Sequence, residues 1–217
     1  MKHIVLVDDG CKLLKKIFRS TTSMIFDYYK THENAERENF NITWIHVLNE
    51  EQSIQDSFDR VDIMQDINEI RQGFYDEQSR DNLPSIEFQC INVELSPENE
   101  AADVKQKAHI IKQKIDEVIN ENTGFVLLID LIIYDRNDVK LVMKGSEIIS
   151  EALFSEYSEN AIPYSNYDTA SAEEAKFRRL WKRRKKVNKI FDKKDLCDVF
   201  YYNDLYLDLL YSKLGLN

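Results

Sequence analysis

Three aspartates set the chemistry this chain can be expected to do. Asp8 and Asp9 follow the apolar run Ile4-Val5-Leu6-Val7, and Asp130 follows Phe125-Val126-Leu127-Leu128-Ile129. An acid that ends an apolar strand stands at the carboxyl edge of a sheet, where open α/β folds bind their ligands. If the two strands are neighbours, three carboxylates converge in one crevice, and their mutual repulsion calls for a cation among them. An all-oxygen donor set with room for water suits Mg²⁺. The competing reading of Asp9 is a helix cap, its carboxylate accepting the open N–H groups of the helix that follows. Three acids on two strong strand ends favour a site over a cap.

Those acids work together only if strands and helices hold them in place. Residues 3 to 7 are a short, mostly apolar run of the kind buried on both faces of a sheet. The next stretch puts Leu13, Leu14, Ile17, Phe18, Thr21, Ile25 and Tyr28 on one stripe at steps of three and four, which predicts a helix. Ile42 to Leu48 reads as a second strand, and Ser53 to about Gly73 as a helix carrying Ile54, Phe58, Val61, Met64 and Ile67. Ile86 to Leu95 alternates Ile86, Phe88 and Cys90 with Glu87 and Gln89, as a strand with one less buried face does. Val104, Ile111, Ile115 and Val118 predict the next helix, Phe125 to Asp130 a strand, and Ile148, Ile149, Ala152 and Leu153 a helix after Gly145. Ala161 to Tyr164 is a short strand, 172 to about 186 a helix, Lys189 to Phe191 a last short strand, and Leu196 to Leu214 a closing helix. This alternation predicts an α/β fold, a parallel sheet of five to six strands with helices on both faces, because parallel neighbours need a right-handed crossover.

Composition narrows the classes further. The chain has 217 residues, 43% of them hydrophobic, and a formal net charge of −10. That is enough apolar mass for one good core, and it excludes a disordered polymer. Five glycines and three prolines supply no linker, so residues 1–217 are expected to form a single domain. The longest apolar runs fall far short of the roughly 20 residues a bilayer helix needs. The apolar residues after Met1 meet two aspartates too soon for a signal peptide, so the expectation is a cytoplasmic protein without membrane insertion. Cys11, Cys90 and Cys197 lack any C-x-x-C spacing, predict neither a disulfide framework nor a zinc site, and read as buried thiols. His3, His32, His46 and His109 are scattered and read as packing or surface residues.

With these segments in view the chain resembles a known family, the receiver domains of two-component response regulators. Ile4-Val5-Leu6-Val7-Asp8-Asp9, with Leu13-Leu14 on the helix after it, looks like their first strand and acidic pair. Phe125-Val126-Leu127-Leu128-Ile129-Asp130-Leu131-Ile132-Ile133 looks like the strand bearing their phosphoacceptor aspartate. The resemblance implies a flavodoxin-like doubly wound sheet, with Asp130 as the nucleophile and Mg²⁺ held by Asp8, Asp9, Asp130 and the backbone carbonyl of Ile132. Ile162-Pro163-Tyr164-Ser165 resembles the strand that ends in a Ser or Thr contacting the phosphoryl group, which implies Ser165, with Thr169 in reserve. Ile190-Phe191-Asp192-Lys193-Lys194 resembles the last strand with its phosphate-binding lysine, which implies Lys193. Such chemistry is coherent, since a carboxylate can attack a phosphoryl group when a cation offsets the charge on both. The protein so implied is a stand-alone signalling module of a phosphorelay. It would take its phosphoryl group from a histidine kinase or phosphotransfer protein and regulate a downstream protein partner. The receiver pattern consumes the chain and leaves no appended DNA-binding domain.

Two features depart from the family pattern. Tyr134 stands in the neighbourhood where the family has a proline, and the Asp135-Arg136-Asn137-Asp138 loop before Gly145 is long. Residues 31–123 hold one strand-helix unit more than the family needs, and either 42–73 or 86–121 could be the additional one. The second reading is therefore a pseudo-receiver, an interaction module that works without phosphorylation. A third is a Mg²⁺-dependent phosphohydrolase using the same acids. The haloacid dehalogenase pattern needs an aspartate where Val7 stands, and no Gly-rich phosphate loop occurs, so this reading is disfavoured.

A basic segment stands apart. From Lys176 to Lys194 there are eleven cations against Asp192 alone, a local excess of +10 that leaves −20 for the rest of the chain. One reading is a nucleic-acid face with Phe177 and Trp181 free to stack. The favoured reading is a solvated helix that meets acidic neighbours in the fold or in a homodimer, with Trp181 turned inward, since a net acidic body opposes general DNA affinity. In receivers this helix and the last strand usually form the output face, so the resemblance also implies a partner surface there. The aromatic closing helix, with Tyr201, Tyr202, Tyr206 and Tyr211, reads mostly as core.

Overall fold

Six strands, all parallel, form one sheet in the order β3-β2-β1-β4-β5-β6. They are β1 (Lys2–Asp8), β2 (Phe40–Leu48), β3 (Ile86–Glu94), β4 (Phe125–Asp130), β5 (Ala161–Ser165) and β6 (Phe191–Asp192). The helices are α1 (Leu14–Thr31), α2 (Val104–Val118), α3 (Ile149–Glu156), α4 (Ala172–Lys185) and α5 (Asp204–Leu214), and residues 67–75 are also helical. This computed structural model describes residues 1–10, 13–48, 65, 67–75, 78–79, 83–95, 104–119, 124–133, 148–165, 172–197 and 204–216. Residues 53–64 of the expected second helix lie outside them.

The alternation of each strand assigns its side chains to two cores. Ile4 and Leu6 of β1, Ile42 and Trp44 of β2, Val126 and Leu128 of β4, and Ile162 and Tyr164 of β5 pack with α1, α5 and Ile67. Val5, Val7, Ile45, Val47, Leu127 and Ile129 pack on the opposite face with α2, α3 and α4. Helices therefore cover both faces of a doubly wound sheet, and the central strands are continuously apolar because both of their faces are buried. All seven residues of β1 are buried, whereas in β3 only Ile86 and Val93 are buried, Phe88 to Ile91 are half-buried, and Glu87, Asn92 and Glu94 are exposed. This greater exposure is that of an edge strand, paired among the described residues with β2 alone.

Two expectations need correction. Leu196 ends a 3₁₀ turn, Lys193–Leu196, rather than starting the closing helix, which the described residues show over Asp204–Leu214. Asp192 caps this turn: its carboxylate accepts the Lys194 N–H at 3.0 Å, and Asp195 reaches back to the Asp192 N–H at 3.1 Å. This reciprocal cap ends β6 after two residues and starts the turn. Cys90 and Cys197 are half-buried rather than fully buried, and the Cys197 thiol lies 3.1 Å from the Lys193 carbonyl. No helix among the described residues is long and apolar enough to cross a membrane.

Candidate functional site

Register brings the aspartates together. β1 and β4 pair from His3 with Phe125 to Val7 with Ile129, so Asp8 and Asp130 are the next positions on adjacent strands, at the carboxyl edge. Strand order reverses between these two strands: β2 and β3 extend the sheet on one side, β4 to β6 on the other. The helix after β1 packs on one face and the helix after β4 on the other, which opens a crevice at this switch point.

One carboxylate oxygen from each of Asp8, Asp9 and Asp130 lies within 4.8 Å of the others. Asp8 is 1% and Asp130 6% exposed, while Asp9 is half-buried. Asp8 Oδ1 accepts the Gly10 N–H at 2.7 Å, and Oδ2 accepts the Tyr164 hydroxyl at 2.7 Å. The Lys193 ammonium forms an ion pair with Asp8 Oδ2 and lies 3.6 Å from Asp130 Oδ2. Asp130 Oδ1 accepts the Ile132 N–H at 3.2 Å. The chain beyond Asp130 is pinned from both sides, since the Leu131 N–H donates to the Tyr164 carbonyl at 2.9 Å and Ser150 Oγ donates to the Leu131 carbonyl at 2.7 Å.

The charges explain the protonation tendencies. Burial, with Asp8 and Asp9 nearby, holds the Asp130 carboxyl well above the usual carboxylate range, against the pull of Lys193. Burial works against the Lys193 charge, yet Asp8 and Asp130 overcome it and raise the ammonium above its ordinary value. Burial and Asp8 likewise hold the Tyr164 phenol well above its ordinary value, so it is a hydrogen-bond donor at neutral pH. Among the described residues three acids meet one lysine in the crevice. Its donors are all oxygens, the set preferred by a hard cation such as Mg²⁺.

Asp8, Asp9, Asp130 and Lys193 thus meet in one place, and of Ile132 it is the N–H that reaches Asp130. Ser165 ends β5 one residue beyond Tyr164, the register partner of Asp130, and is 5% exposed. It makes no hydrogen bond to the carboxylates among the described residues. Thr169 and the Tyr134–Gly145 loop lie outside those residues. Tyr164 and the Gly10 N–H were not anticipated as site groups. The available signal was parity: Tyr164 shares a sheet face with Asp8 and Asp130, which is apparent only once the strand order is known. His46 of β2 pairs in register with Asp8, is buried, and stacks on Trp44 with ring centroids 4.0 Å apart.

On the basic segment the structure decides one point. Phe177 and Trp181 are both 0% exposed, so neither ring is free to stack on a base. Trp181 packs inward, edge to face with Phe154 at 5.0 Å. Several cations meet partners within the fold: Arg184 lies 3.7 Å from the buried Glu151, Lys185 donates to Ser155 Oγ at 2.6 Å, and Arg178 donates to the Ile190 carbonyl at 2.9 Å.

No family model matches the chain, and no curated protein matches it at a significant level. Fold and site together define a class by their geometry: a doubly wound α/β protein of flavodoxin-like architecture, with a buried carboxylate cluster and a buried lysine at its switch point.

Proposed function

We propose that this chain is a stand-alone receiver-like signalling protein that accepts a phosphoryl group on Asp130 and regulates a partner protein. The observation that carries the reading is the convergence of Asp8, Asp9 and Asp130 at the switch point, with the buried Lys193 against Asp8 and Asp130. Asp8, Asp9, Asp130 and the Ile132 carbonyl would hold Mg²⁺, which supplies positive charge against the phosphoryl oxygens. An Asp130 oxygen attacks phosphorus, the bond from phosphorus to the donor breaks, and an acyl phosphate remains on Asp130. Lys193 is within reach of Asp130 and would pair with the added phosphoryl charge, leaving Asp8 to do so. Ser165, at the end of the neighbouring strand, is the hydroxyl that could follow it. Movement of Lys193 and the 3₁₀ turn behind it would carry the change to the surface formed by α4 and β6, where a downstream partner would bind. The phosphoryl donor would be a histidine kinase or a phosphotransfer protein. Within this reading β3 and the helix at 67–75 before it are the additional unit, because β2-β1-β4-β5-β6 is by itself the five-stranded flavodoxin order and α2, on the face opposite α1, is the crossover that a right-handed return from β2 to β4 needs.

One observation favours the pseudo-receiver instead: Lys193 already stands between Asp8 and Asp130 as a resident cation. The test is intact mass after incubation with Mg²⁺ and acetyl phosphate, with Asp130→Asn alongside. One phosphoryl adduct, missing from the variant and missing without Mg²⁺, is expected. An unmodified chain under conditions that phosphorylate a control receiver, with no phosphate released, favours the pseudo-receiver. Steady phosphate release without an adduct points to a hydrolase.

A further inference from the structure

We propose that Tyr164 is the positioning residue of the acidic crevice, holding Asp8 in the orientation a divalent cation needs whether or not Lys193 is in contact with it. The inference rests on the reading of Asp8, Asp9 and Asp130 as a Mg²⁺ site, and adds a residue which that reading does not use.

Asp8 is held by three donors of two kinds. Gly10 offers a backbone N–H to Oδ1 and Tyr164 a hydroxyl to Oδ2, both neutral, while Lys193 offers a cation to Oδ2. An ammonium and a divalent cation repel each other and compete for the same carboxylate oxygen, so Lys193 gives way as the ion enters. A neutral hydroxyl has no such conflict. With Gly10 and Tyr164 in place, each Asp8 oxygen keeps one donor and the carboxylate keeps its rotamer. An acid held only by Lys193 would lose its orientation at the moment of binding.

The tyrosine is built to do this. Its side chain is 0% exposed and packs in the core formed with α1 and α5, and its strand is paired on both sides, with Asp130 in β4 and Phe191 in β6. A ring with two torsions, closed in on every side, delivers its hydroxyl to a fixed point. The hydroxyl also lies 3.3 Å from the Val7 carbonyl, so it bridges the end of β1 as well as the carboxylate. Lys193 Nζ lies 5.5 Å from the ring centroid, and the ring face offers the ammonium a surface as it leaves Asp8. A position that required only apolar bulk would be equally well filled by phenylalanine. The hydroxyl is the part that needs a reason, and Asp8 supplies it.

Partners that orient a metal ligand are worth roughly 10- to 100-fold in metal affinity. The experiment is calorimetric titration of Mg²⁺ into chelator-treated wild type, Tyr164→Phe and Tyr206→Phe, each also melted without metal. Tyr206 is a second fully buried tyrosine on the same sheet face, 5.5 Å from Phe191. Tyr164→Phe is expected to weaken Mg²⁺ binding by about tenfold or more, and Tyr206→Phe to leave it unchanged. The same loss should appear when Tyr164→Phe is made on a Lys193→Met background, because the tyrosine acts without the lysine. A Tyr164→Phe protein that melts lower yet binds Mg²⁺ as the wild type does has lost only a structural bond, and overturns the inference. So does a loss that vanishes in the Lys193→Met background. A wild type that binds no Mg²⁺ removes the underlying reading, and that outcome is separate from either result on Tyr164.

Discussion

Asp130→Asn is expected to make the metal-free protein more stable, not less. The substitution keeps shape and keeps an oxygen for the Ile132 N–H, which Asp130 Oδ1 accepts at 3.2 Å. It removes one negative charge from a crevice in which carboxylate oxygens lie within 4.8 Å of one another. At an effective dielectric of about 20, each such repulsion is worth roughly 3 to 4 kcal/mol. Asp130 has two of these neighbours, and the attraction to Lys193 at 3.6 Å offsets about 4 to 5 kcal/mol. The balance is a net penalty of about 2 kcal/mol, which corresponds to a Tm higher by about 4 to 8 °C in the variant for a chain of this size. The sign with pH follows from Asp130, whose folded carboxyl titrates above its ordinary value because of burial and the charge of Asp8 and Asp9. Its proton favours the folded state, so that contribution is complete below the unfolded pKa of about 4 and is lost as pH rises through the higher folded value. The gap between variant and wild type should therefore be widest at neutral and alkaline pH and close toward pH ~4. Saturating Mg²⁺ should narrow it by stabilising the wild type more. Thermal melts in chelator across this pH range provide the measurement. A variant that melts at or below the wild type at pH 8 without metal would refute the reasoning, since it would mean that the cluster is not repulsive.

Other consequences can be checked with the same materials. Lys193→Met leaves Asp8 and Asp130 without their cation and should destabilise the metal-free protein by about 3 kcal/mol in urea titrations, while tightening Mg²⁺ binding because the ion no longer displaces an ammonium. Trp181→Ala should cost about 3 to 5 kcal/mol, read by the same denaturation, because the side chain is fully buried; a loss within 0.5 kcal/mol, an estimate typical of surface sites, would return the ring to the surface. Arg184→Ala should destabilise by about 0.5 to 1 kcal/mol, since the guanidinium is partly exposed and lies 3.7 Å from the buried Glu151 carboxylate, and a second change, Glu151→Gln, should recover most of that loss in a double-mutant cycle.

What could be read from the sequence is local. The apolar run before Asp8 and the one before Asp130 are strands because a chain segment buried on both sides has no polar positions to spare, and that is visible within six residues. The stripe from Leu14 to Tyr28 reports α1 through its spacing alone, and the edge character of β3 shows in the alternation of Ile86, Phe88 and Cys90 with polar neighbours. The acids at two strand ends were therefore available as candidates, with Lys193 and Ser165 added through the resemblance. Only the tertiary structure could decide which strands are neighbours, because order and register are set by long-range burial of whole faces rather than by any residue's own preference. That decision puts Asp130 beside Asp8, turns Tyr164 onto the same carboxylate, and leaves Ser165 one position further along. It also buries Phe177 beneath a strongly charged helix, beside Trp181, whose inward turn the sequence reading favoured. The same holds after β6, where a cap between Asp192 and Asp195 starts a 3₁₀ turn that takes in Leu196, the residue at which the apolar spacing suggests the closing helix begins. Short side-chain caps carry no periodic signal, yet this one helps fix the place of the lysine that Asp8 and Asp130 share.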